Sequence, residues 1–307
     1  MMKLILLLVC TSSVLEATIA PYQEEHELWE IGVPSTIVEH AAKMVGTHRK
    51  SFGIWEILLY GVPHILEQAK LVDRTLDVVE LFSGCSELSH QCDISGLASQ
   101  PFDMKRHRSE NILTMEGFLY AGWLVSRIKR NGLLWAAPQC STWGSAALAL
   151  TKRHLTVFGD QTRQDVLDAN VTLELVVWLC FFAAIRGVNF CIEQPKGSYW
   201  YKHPSALALK EGLLGAGIKD VLTWMGAFAH EMPKPTTLWT NMPCGAMFLM
   251  ARGKPKNLKS KPEFHFRKQR KSGKGSWWQG GKKLKSSQGY TEEFCKRVAA
   301  AVTRCQV

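Results

Sequence analysis

The stretch Leu76-Asp77-Val78-Val79-Glu80-Leu81-Phe82-Ser83-Gly84 decides the fold, because a run of strand-forming residues ends there in a glycine turn. Leu and Val favour a buried strand, and glycine permits the positive φ that a tight turn requires. A second apolar run, Gly132 to Ala137, ends in the same way at Pro138-Gln139-Cys140. Open α/β sheets bind ligands at the carboxyl ends of their strands. We therefore expect these two segments to lie side by side and to form a site.

The chain from Asp77 onward alternates short apolar runs with helical stretches. This pattern indicates βαβ units and predicts an α/β protein with a doubly wound, mainly parallel sheet. The predicted strands are Leu76 to Leu81, Leu97 to Phe102, Leu133 to Ala137, Val188 to Ile192 and Val221 to Trp224. The predicted helices are Ser86 to Ile94, Glu116 to Arg130, Gln164 to Arg186, Ala206 to Leu214 and Tyr290 to Arg304.

The sheet is predicted to occupy residues 74–251, with a helical cap before it over residues 21–73. Residues 252–289 are rich in Lys, Gly and Ser and are predicted to form a basic loop insert. Residues 290–307 form the predicted C-terminal helix. Its apolar residues Phe294, Val298 and Val302 are spaced four apart, so we expect this helix to pack on the sheet domain.

The pattern of the N-terminal residues allows two interpretations. A basic start, a short apolar run from Leu4 to Cys10 and a small-residue exit match a secretory signal peptide over residues 1–20. The alternative is an ordinary N-terminal helix. The nine cysteines include no CxxC pair, which argues against zinc-ribbon and thioredoxin-like sites, and we predict no metal. Scattered cysteines favour a reducing compartment, nuclear or cytoplasmic, and no stable membrane insertion is predicted.

The positive charge of the chain is concentrated in one segment. The formal net charge is +10 over 307 residues. Between Lys254 and Lys285 there are twelve Lys or Arg and one acid, Glu263, which is a local charge of +11. The rest of the chain therefore sums to −1. Such a segment suits a polyanionic partner, although a solvated loop or a targeting signal has the same composition.

Three motifs resemble, in their order along the chain, those of the cytosine carbon-5 DNA methyltransferases. Asp77 to Gly84 is similar to the cofactor motif of that family, Pro138-Gln139-Cys140 to its proline-proline-cysteine loop, and Ile192 to Pro195 to its glutamate-asparagine-valine loop. Gln139 and Gln194 depart from the family pattern. The resemblance covers roughly residues 74–200. It implies a class I, Rossmann-like methyltransferase fold with a seven-stranded sheet, S-adenosylmethionine as cofactor, and DNA, or less readily RNA, as partner.

The resemblance also implies a set of cofactor-binding residues. Phe82 would stack on the adenine ring, and Asn111 would contact the adenine amine. Asp103 ends the second predicted strand, where an acid can accept hydrogen bonds from both ribose hydroxyls. The alternatives are that Phe82 belongs to the core and that Asp103 caps a helix or pairs with Lys105. The full predicted cofactor set is Glu80, Phe82, Ser83, Gly84, Asp103, Asn111 and Pro138.

Cys140, Glu193 and Lys234 are the predicted catalytic residues. The Cys140 thiolate would add to ring carbon 6 of cytosine and so activate carbon 5 for methylation. Glu193 would donate a proton to ring nitrogen 3, which requires a protonated carboxyl group. Lys234 lies where the family carries an arginine-bearing strand. The alternatives are that Cys140 is a small apolar residue at a strand end and that Glu193 is a paired carboxylate.

The basic segment is the predicted nucleic-acid contact, since Lys and Arg neutralise phosphates and aromatic rings stack on bases. Two other functions remain open. One is a non-catalytic, methyltransferase-like nucleic-acid-binding protein of mobile-element origin, and the other is a methyltransferase with another substrate. The predicted contact residues are Lys268, Arg270, Lys271, Lys274, Trp277 and Trp278.

Overall fold

The computed structural model of the chain describes residues 65–66, 69–212, 217–255, 267–269, 276–278 and 289–306. The predicted segment 1–20, nearly all of the predicted cap over residues 21–73 and most of the basic segment lie outside the described residues. The described strands of the main sheet are β1 (Leu76–Leu81), β2 (Ser99–Phe102), β3 (Ile128–Ala136), β4 (Asn189–Pro195), β5 (Lys219–Trp224) and β6 (Pro235–Thr240).

Seven α-helices are present among the described residues, and a small antiparallel hairpin lies in the basic segment. The helices are α1 (Glu87–Ile94), α2 (Met115–Ser126), α3 (Leu148–Thr151), α4 (Gln164–Ile185), α5 (Pro204–Gly212), α6 (Cys244–Met250) and α7 (Glu292–Gln306). The hairpin pairs β7 (Arg267–Gln269) with β8 (Ser276–Trp278).

The main sheet has the strand order β2-β1-β3-β4-β6-β5. Strands β1 to β4 pair in parallel, whereas β6 is antiparallel to both β4 and β5. The α/β prediction is confirmed, and the sheet is mixed with parallel pairs in the majority. It has six strands in the described part of the chain, where seven were predicted. The unpredicted strand is β6, whose first residue is Pro235, a position where the missing N–H of proline is tolerated.

The sheet is covered on both faces, and the alternation along β3 shows how the two cores are divided. Leu134 and Ala136 belong to one buried cluster, together with apolar side chains of α2, α4 and α5. Leu133 and Trp135 belong to the other, together with those of α1, α6 and α7. Because successive strand residues point to opposite faces, each parallel strand must be apolar on both sides. This explains the continuous apolar runs in the sequence.

The direction of winding reverses at β1. From β1 the chain passes to β2 on one side, and it then returns to β3 on the other. Such a reversal opens a crevice at the carboxyl ends of the two strands, which is where ligands bind in open α/β sheets. Leu81 pairs with Ala136, and the Ala137 N–H donates to the Leu81 carbonyl at 3.3 Å. The loops that carry Gly84 and Cys140 therefore start side by side.

Helix α2 ends earlier than predicted and packs closely against the turn before it. Helix α2 ends at Ser126, earlier than the predicted Arg130, because β3 already begins at Ile128. A Cβ at Gly117 in this helix would lie 1.9 Å from the Asn111 carbonyl oxygen, so only glycine allows this close packing.

Helix α4 is the one helix among the described residues that is long and apolar enough to cross a membrane, and most of it is buried inside the protein.

Candidate active site at the carboxyl ends of the strands

The turn after β1 is hydrogen-bonded to an acid that directly follows the neighbouring strand β2. Gly84 has φ +58°, and a Cβ built on it would have no heavy atom within 4 Å, so the turn faces open space. Its N–H donates to Asp103 Oδ2 at 2.9 Å, while the Lys105 N–H donates to Asp103 Oδ1 at 2.8 Å. A carboxylate offers about four acceptor positions, so Asp103 retains capacity for two further donors. The carboxylate is 8% exposed, and each of its oxygens already accepts from one nearby backbone N–H.

The remaining predicted cofactor residues are divided between the crevice and the interior. Phe82 is half-buried at the end of β1, with φ +62°. Ser83 is buried, and its N–H donates to the Phe102 carbonyl at 3.2 Å. The Asn111 side-chain oxygen accepts from the Leu113 N–H at 3.1 Å, so it stabilises its own turn. Pro138 is buried, and its carbonyl oxygen is hydrogen-bonded to a neighbouring strand.

Glu80 faces the interior of the protein. It is 1% exposed, and its Oε2 accepts from the Ser89 N–H at 3.0 Å and from the Ser89 hydroxyl at 2.7 Å. Burial raises the pKa of Glu80 to about 7 despite these bonds. Ser89 belongs to α1, so this carboxyl group fastens α1 to the end of β1. Glu80 therefore supports the turn from beneath.

Gln194 connects the Cys140 loop to β4. Its side chain is fully buried, with Nε2 donating to the Pro138 carbonyl at 2.6 Å and Oε1 accepting from the Ser198 hydroxyl at 3.0 Å. Both ends of the amide are thus bonded, as expected of a buried polar group. Gln194 therefore holds the Cys140 loop beside the strand that carries Glu193.

The three predicted catalytic residues come together at one edge of the sheet. Cys140 follows β3, and Glu193 lies near the carboxyl end of β4. Lys234 precedes β6, and because β6 runs antiparallel to β4, its start lies at the edge where β4 ends. The Lys196 N–H donates to the Pro235 carbonyl at 2.9 Å across this junction. The three residues are far apart in sequence, but they lie close enough in the structure for the charges of Glu193 and Lys234 to act on the Cys140 thiol.

The pKa of the Cys140 thiol is raised, chiefly because burial disfavours the thiolate. The Glu193 carboxylate raises that pKa further, while the Lys234 ammonium lowers it. The side chain is half-buried, so it still reaches solvent. In the free protein Cys140 is consequently held mainly as a neutral thiol. Lys234 is the side chain here that favours the reactive thiolate.

Tyr290 and Trp135 are functional candidates that the sequence did not indicate. Tyr290 lies just before α7, and its hydroxyl donates to Glu193 Oε2 at 3.4 Å. The same hydroxyl accepts from the Trp135 indole N–H at 3.1 Å. Glu193 is 8% exposed, and its Oε1 is buried without a hydrogen-bond partner among the described residues. No sequence signal links these residues, because 97 positions separate Tyr290 from Glu193.

The Cys140 loop rests on a buried arginine that the sequence also did not indicate. The Trp143 and Gly144 N–H groups both donate to the Cys140 carbonyl, so the loop forms a tight turn. The Arg153 guanidinium lies 3.3 Å from the centre of the Trp143 ring and donates from Nε to the Thr142 carbonyl at 3.0 Å. Burial lowers the pKa of Arg153 to about 9. These contacts anchor the Cys140 loop to the buried Arg153 side chain.

The predicted nucleic-acid contacts are described only in part. Lys268 belongs to β7 and pairs in register with Trp277 of β8, and Trp278 pairs with Arg267. Arg270, Lys271 and Lys274 lie outside the described residues. The backbone therefore forms a short antiparallel ribbon within the basic segment.

The arrangement combines a thiol, a buried carboxyl group with one unbonded oxygen and an ammonium group beside an open glycine turn. Such a set can add a nucleophile to an electron-poor ring and supply a proton to that ring. The described part of the chain contains no group of three or more His, Cys, Asp or Glu that would hold a metal ion. No known protein-family model matches this chain, and a search of curated protein sequences found no match to it.

Proposed function

We propose that the protein transfers a methyl group from S-adenosylmethionine to carbon 5 of cytosine in DNA. The observation that carries the proposal is the meeting of Cys140, Glu193 and Lys234 beside the Gly84 turn. These residues come from three separate parts of the chain, and the charges of Glu193 and Lys234 both act on the Cys140 thiol. A purely structural cysteine at a strand end has no need of such neighbours.

The crevice suits a nucleoside cofactor. The open Gly84 turn and the half-buried Phe82 ring border the point where the sheet reverses direction, and the Asp103 carboxylate is bonded to the turn itself. These residues would hold the adenosine part, and the bound cofactor would supply an electrophilic methyl group. The class I methyltransferase fold belongs to the same proposal. The six-stranded sheet is one strand short of it in the described residues.

The chemistry of the protein side chains follows from their positions. The Cys140 thiol would pass its proton to solvent as its sulfur bonds to ring carbon 6, and Glu193 would donate a proton to ring nitrogen 3 to neutralise the charge that develops. After carbon 5 receives the methyl group, its own proton would pass to solvent water, the bond between sulfur and carbon 6 would break with the electron pair leaving on sulfur, and ring nitrogen 3 would return its proton to Glu193. Lys234 would favour the thiolate at the start of this sequence. The target base must leave the duplex to reach Cys140.

DNA is the proposed partner because the chain carries a strongly basic segment close in sequence to a residue of the site. Its charge of +11 suffices for long-range attraction to a polyanion, since the remainder of the chain is nearly neutral. The segment ends only five residues before Tyr290, which contacts Glu193. A nucleic acid bound along the segment would therefore lie close to the nucleophile. RNA offers the same phosphate and base chemistry and is the lesser candidate substrate.

A second function is favoured by one observation, the raised pKa of Cys140. A catalytic cysteine needs a thiolate, and burial together with Glu193 works against it. A methyltransferase-like protein that binds nucleic acid without turnover would tolerate this environment. Cofactor binding in the absence of methyl transfer would identify it.

The test is methyl transfer from labelled S-adenosylmethionine to DNA, with trapping by cytosine fluorinated at carbon 5. We expect the parent protein to form a covalent complex and Cys140→Ser to form none, since a serine hydroxyl is barely ionised at neutral pH. Cofactor binding should survive in the variant. Cys305→Ser is the matched control, because Cys305 is also half-buried but lies on α7 at the C-terminus. Undiminished methylation by Cys140→Ser would overturn the proposed function.

A further inference from the structure

Tyr290 occupies a position between two buried groups of the site. Its hydroxyl accepts a hydrogen bond from Trp135 Nε1 at 3.1 Å and lies 3.4 Å from Glu193 Oε2. The rings of Trp135 and Tyr290 meet edge to face, with centroids 5.7 Å apart, and Phe294 packs on both rings. The aromatic packing leaves the Tyr290 side chain little freedom to turn. The hydroxyl is therefore fixed in place by its surroundings.

The direction of this hydrogen-bond chain is determined by chemistry. The Trp135 indole nitrogen can only donate, and a tyrosine hydroxyl has a single proton. The hydroxyl oxygen accepts from Trp135, and the acceptor within reach of its proton among the described residues is Glu193 Oε2. Oε2 is thus an acceptor in both protonation states of the carboxyl group. When Glu193 is protonated, its proton must reside on Oε1, the oxygen that is buried without a partner among the described residues.

The tyrosine remains a donor across the working pH range. Burial raises the pKa of Tyr290 well above its ordinary value, and the charges of Glu193, Glu80 and Cys295 raise it further. The Lys234 Nζ lies 5.7 Å from the centre of its ring. Cys140 is linked to the group through Glu193, whose charge acts on its thiol. Among these neighbours, Glu193 alone receives the hydroxyl proton.

We propose that Tyr290, held by Trp135, is a positioning residue that keeps Glu193 Oε2 as an acceptor and so leaves the proton on Oε1, where it can be donated to ring nitrogen 3 of cytosine. This inference rests on the proposed function. Tyr290 lies between the basic segment and α7, so the segment that connects these two parts of the chain also contributes a side chain to the site.

The kinetic test compares Tyr290→Phe with Tyr201→Phe in the full-length protein. Tyr290→Phe removes only the hydroxyl group, and we expect methyl transfer to slow by about tenfold, the scale of one hydrogen bond to a charged group. The falling limb of the rate at high pH should move to higher pH. Tyr201 is the matched control, because the charge of Glu193 also acts on it but its hydroxyl donates to the Thr237 carbonyl at 2.7 Å and not to Glu193. Tyr201→Phe should leave that limb in place.

A double variant separates positioning from packing. In a Glu193→Ala background the hydroxyl has no carboxyl group to orient, so adding Tyr290→Phe should cause no further loss of rate. Residues that act through one another are non-additive in this way, whereas independent residues multiply their effects. A further tenfold loss in the Glu193→Ala background would overturn the proposal.

A second readout requires no activity. The carbon-13 signal of the Glu193 carboxyl group, assigned through its loss in Glu193→Gln, can be compared by NMR between the parent and the two tyrosine variants. A hydrogen bond to a carboxyl oxygen changes the carbon-13 shift of that group, so Tyr290→Phe should move the signal, and Tyr201→Phe should leave it nearly unchanged. A signal that does not move in Tyr290→Phe would overturn this proposal even in an active enzyme. A parent protein without methyl transfer would instead overturn the proposed function, while the carbon-13 shift would still report on the contact.

Discussion

Two buried glutamates on the same face of the sheet are used in opposite ways. Glu80, at the end of β1, has its Oε2 bonded twice to Ser89 of the adjacent helix. Glu193, near the end of β4, has only the long contact from Tyr290, and its Oε1 is buried without a partner among the described residues. An unbonded buried polar atom costs about 1–3 kcal/mol of stability. The protein therefore loses stability by leaving a buried carboxyl oxygen of Glu193 unbonded, whereas the Oε2 of Glu80 is hydrogen-bonded twice.

The surroundings of the two carboxyl groups explain this difference. Glu80 lies beneath α1, where its hydrogen bonds secure the helix to the sheet, and the cysteines on which its charge acts, Cys92 and Cys295, are buried in the core. Glu193 lies among Cys140, Lys234 and Tyr290, which are groups able to react, carry charge or direct a proton. A carboxyl group that is fully bonded by its own protein stabilises the fold. One that is left partly unbonded is available to a ligand.

The first prediction contrasts these two positions in catalysis and carries the largest expected effect. Glu193→Gln should slow methyl transfer by roughly 100-fold or more, the scale of lost general acid–base help. Glu80→Gln should change the rate by no more than about threefold, because the hydrogen bonds of Glu80 go to Ser89 and the expected loss is confined to this supporting contact. Single-turnover kinetics with labelled cofactor would measure both variants. Equal losses at the two positions would remove the functional distinction between them.

The second prediction concerns Asp103, an intermediate case whose carboxylate is bonded to the protein but lies at the crevice. Losing a charge-assisted hydrogen bond costs about 1.5–3 kcal/mol, so Asp103→Ala should weaken S-adenosylmethionine binding by about 10- to 100-fold. Calorimetry would measure the affinity, and circular dichroism would check the fold. Asp165→Ala is the control, because its exposed carboxylate pairs with Arg163 on the surface. Equal affinity in parent and Asp103→Ala would mean that this acid only supports the Gly84 turn.

The third prediction concerns the pH dependence of stability and requires neither activity nor cofactor binding. The pKa of Glu80 is about 7 in the folded protein, against 4.5 for an ordinary glutamate. The folded state therefore binds this proton more tightly, and the stabilisation is complete below pH 4.5 and is lost as the pH rises through 7. The loss amounts to about 3 kcal/mol, at about 1.4 kcal/mol for each pKa unit.

Urea unfolding of the parent and of Glu80→Gln at several pH values would measure this effect. The glutamine cannot ionise, so the variant should gain stability relative to the parent between pH 4.5 and 8. Glu174, whose pKa is also raised to about 7 by burial, is unchanged in both proteins and cancels in the comparison. Two curves that stay parallel over this range would show that Glu80 does not carry the proton in the folded state.

Much of the sheet was predictable because its signals are local. Strand β1 was predicted with its observed bounds, and β3, β4 and α4 were predicted to within a few residues, since their apolar runs are long and end in clear turns. Strand β6 was missed because Pro233 and Pro235 interrupt its pattern. Without β6, the local pattern gave no reason for Lys234 to approach Glu193, and its prediction as a catalytic residue depended on the family resemblance alone.

What the sequence determined by itself was the set of strand ends and the residues placed on them: the Gly84 turn, Cys140 after β3 and Glu193 at the end of β4. Periodicity and turn chemistry act over a few residues, so these features are visible in one dimension. The tertiary structure alone decided which of the buried acids is bonded, that an antiparallel strand brings Lys234 to the site, and that Tyr290 reaches Glu193 from the C-terminal end of the chain. Those outcomes depend on contacts between distant residues, and no local pattern encodes the partner of a buried side chain.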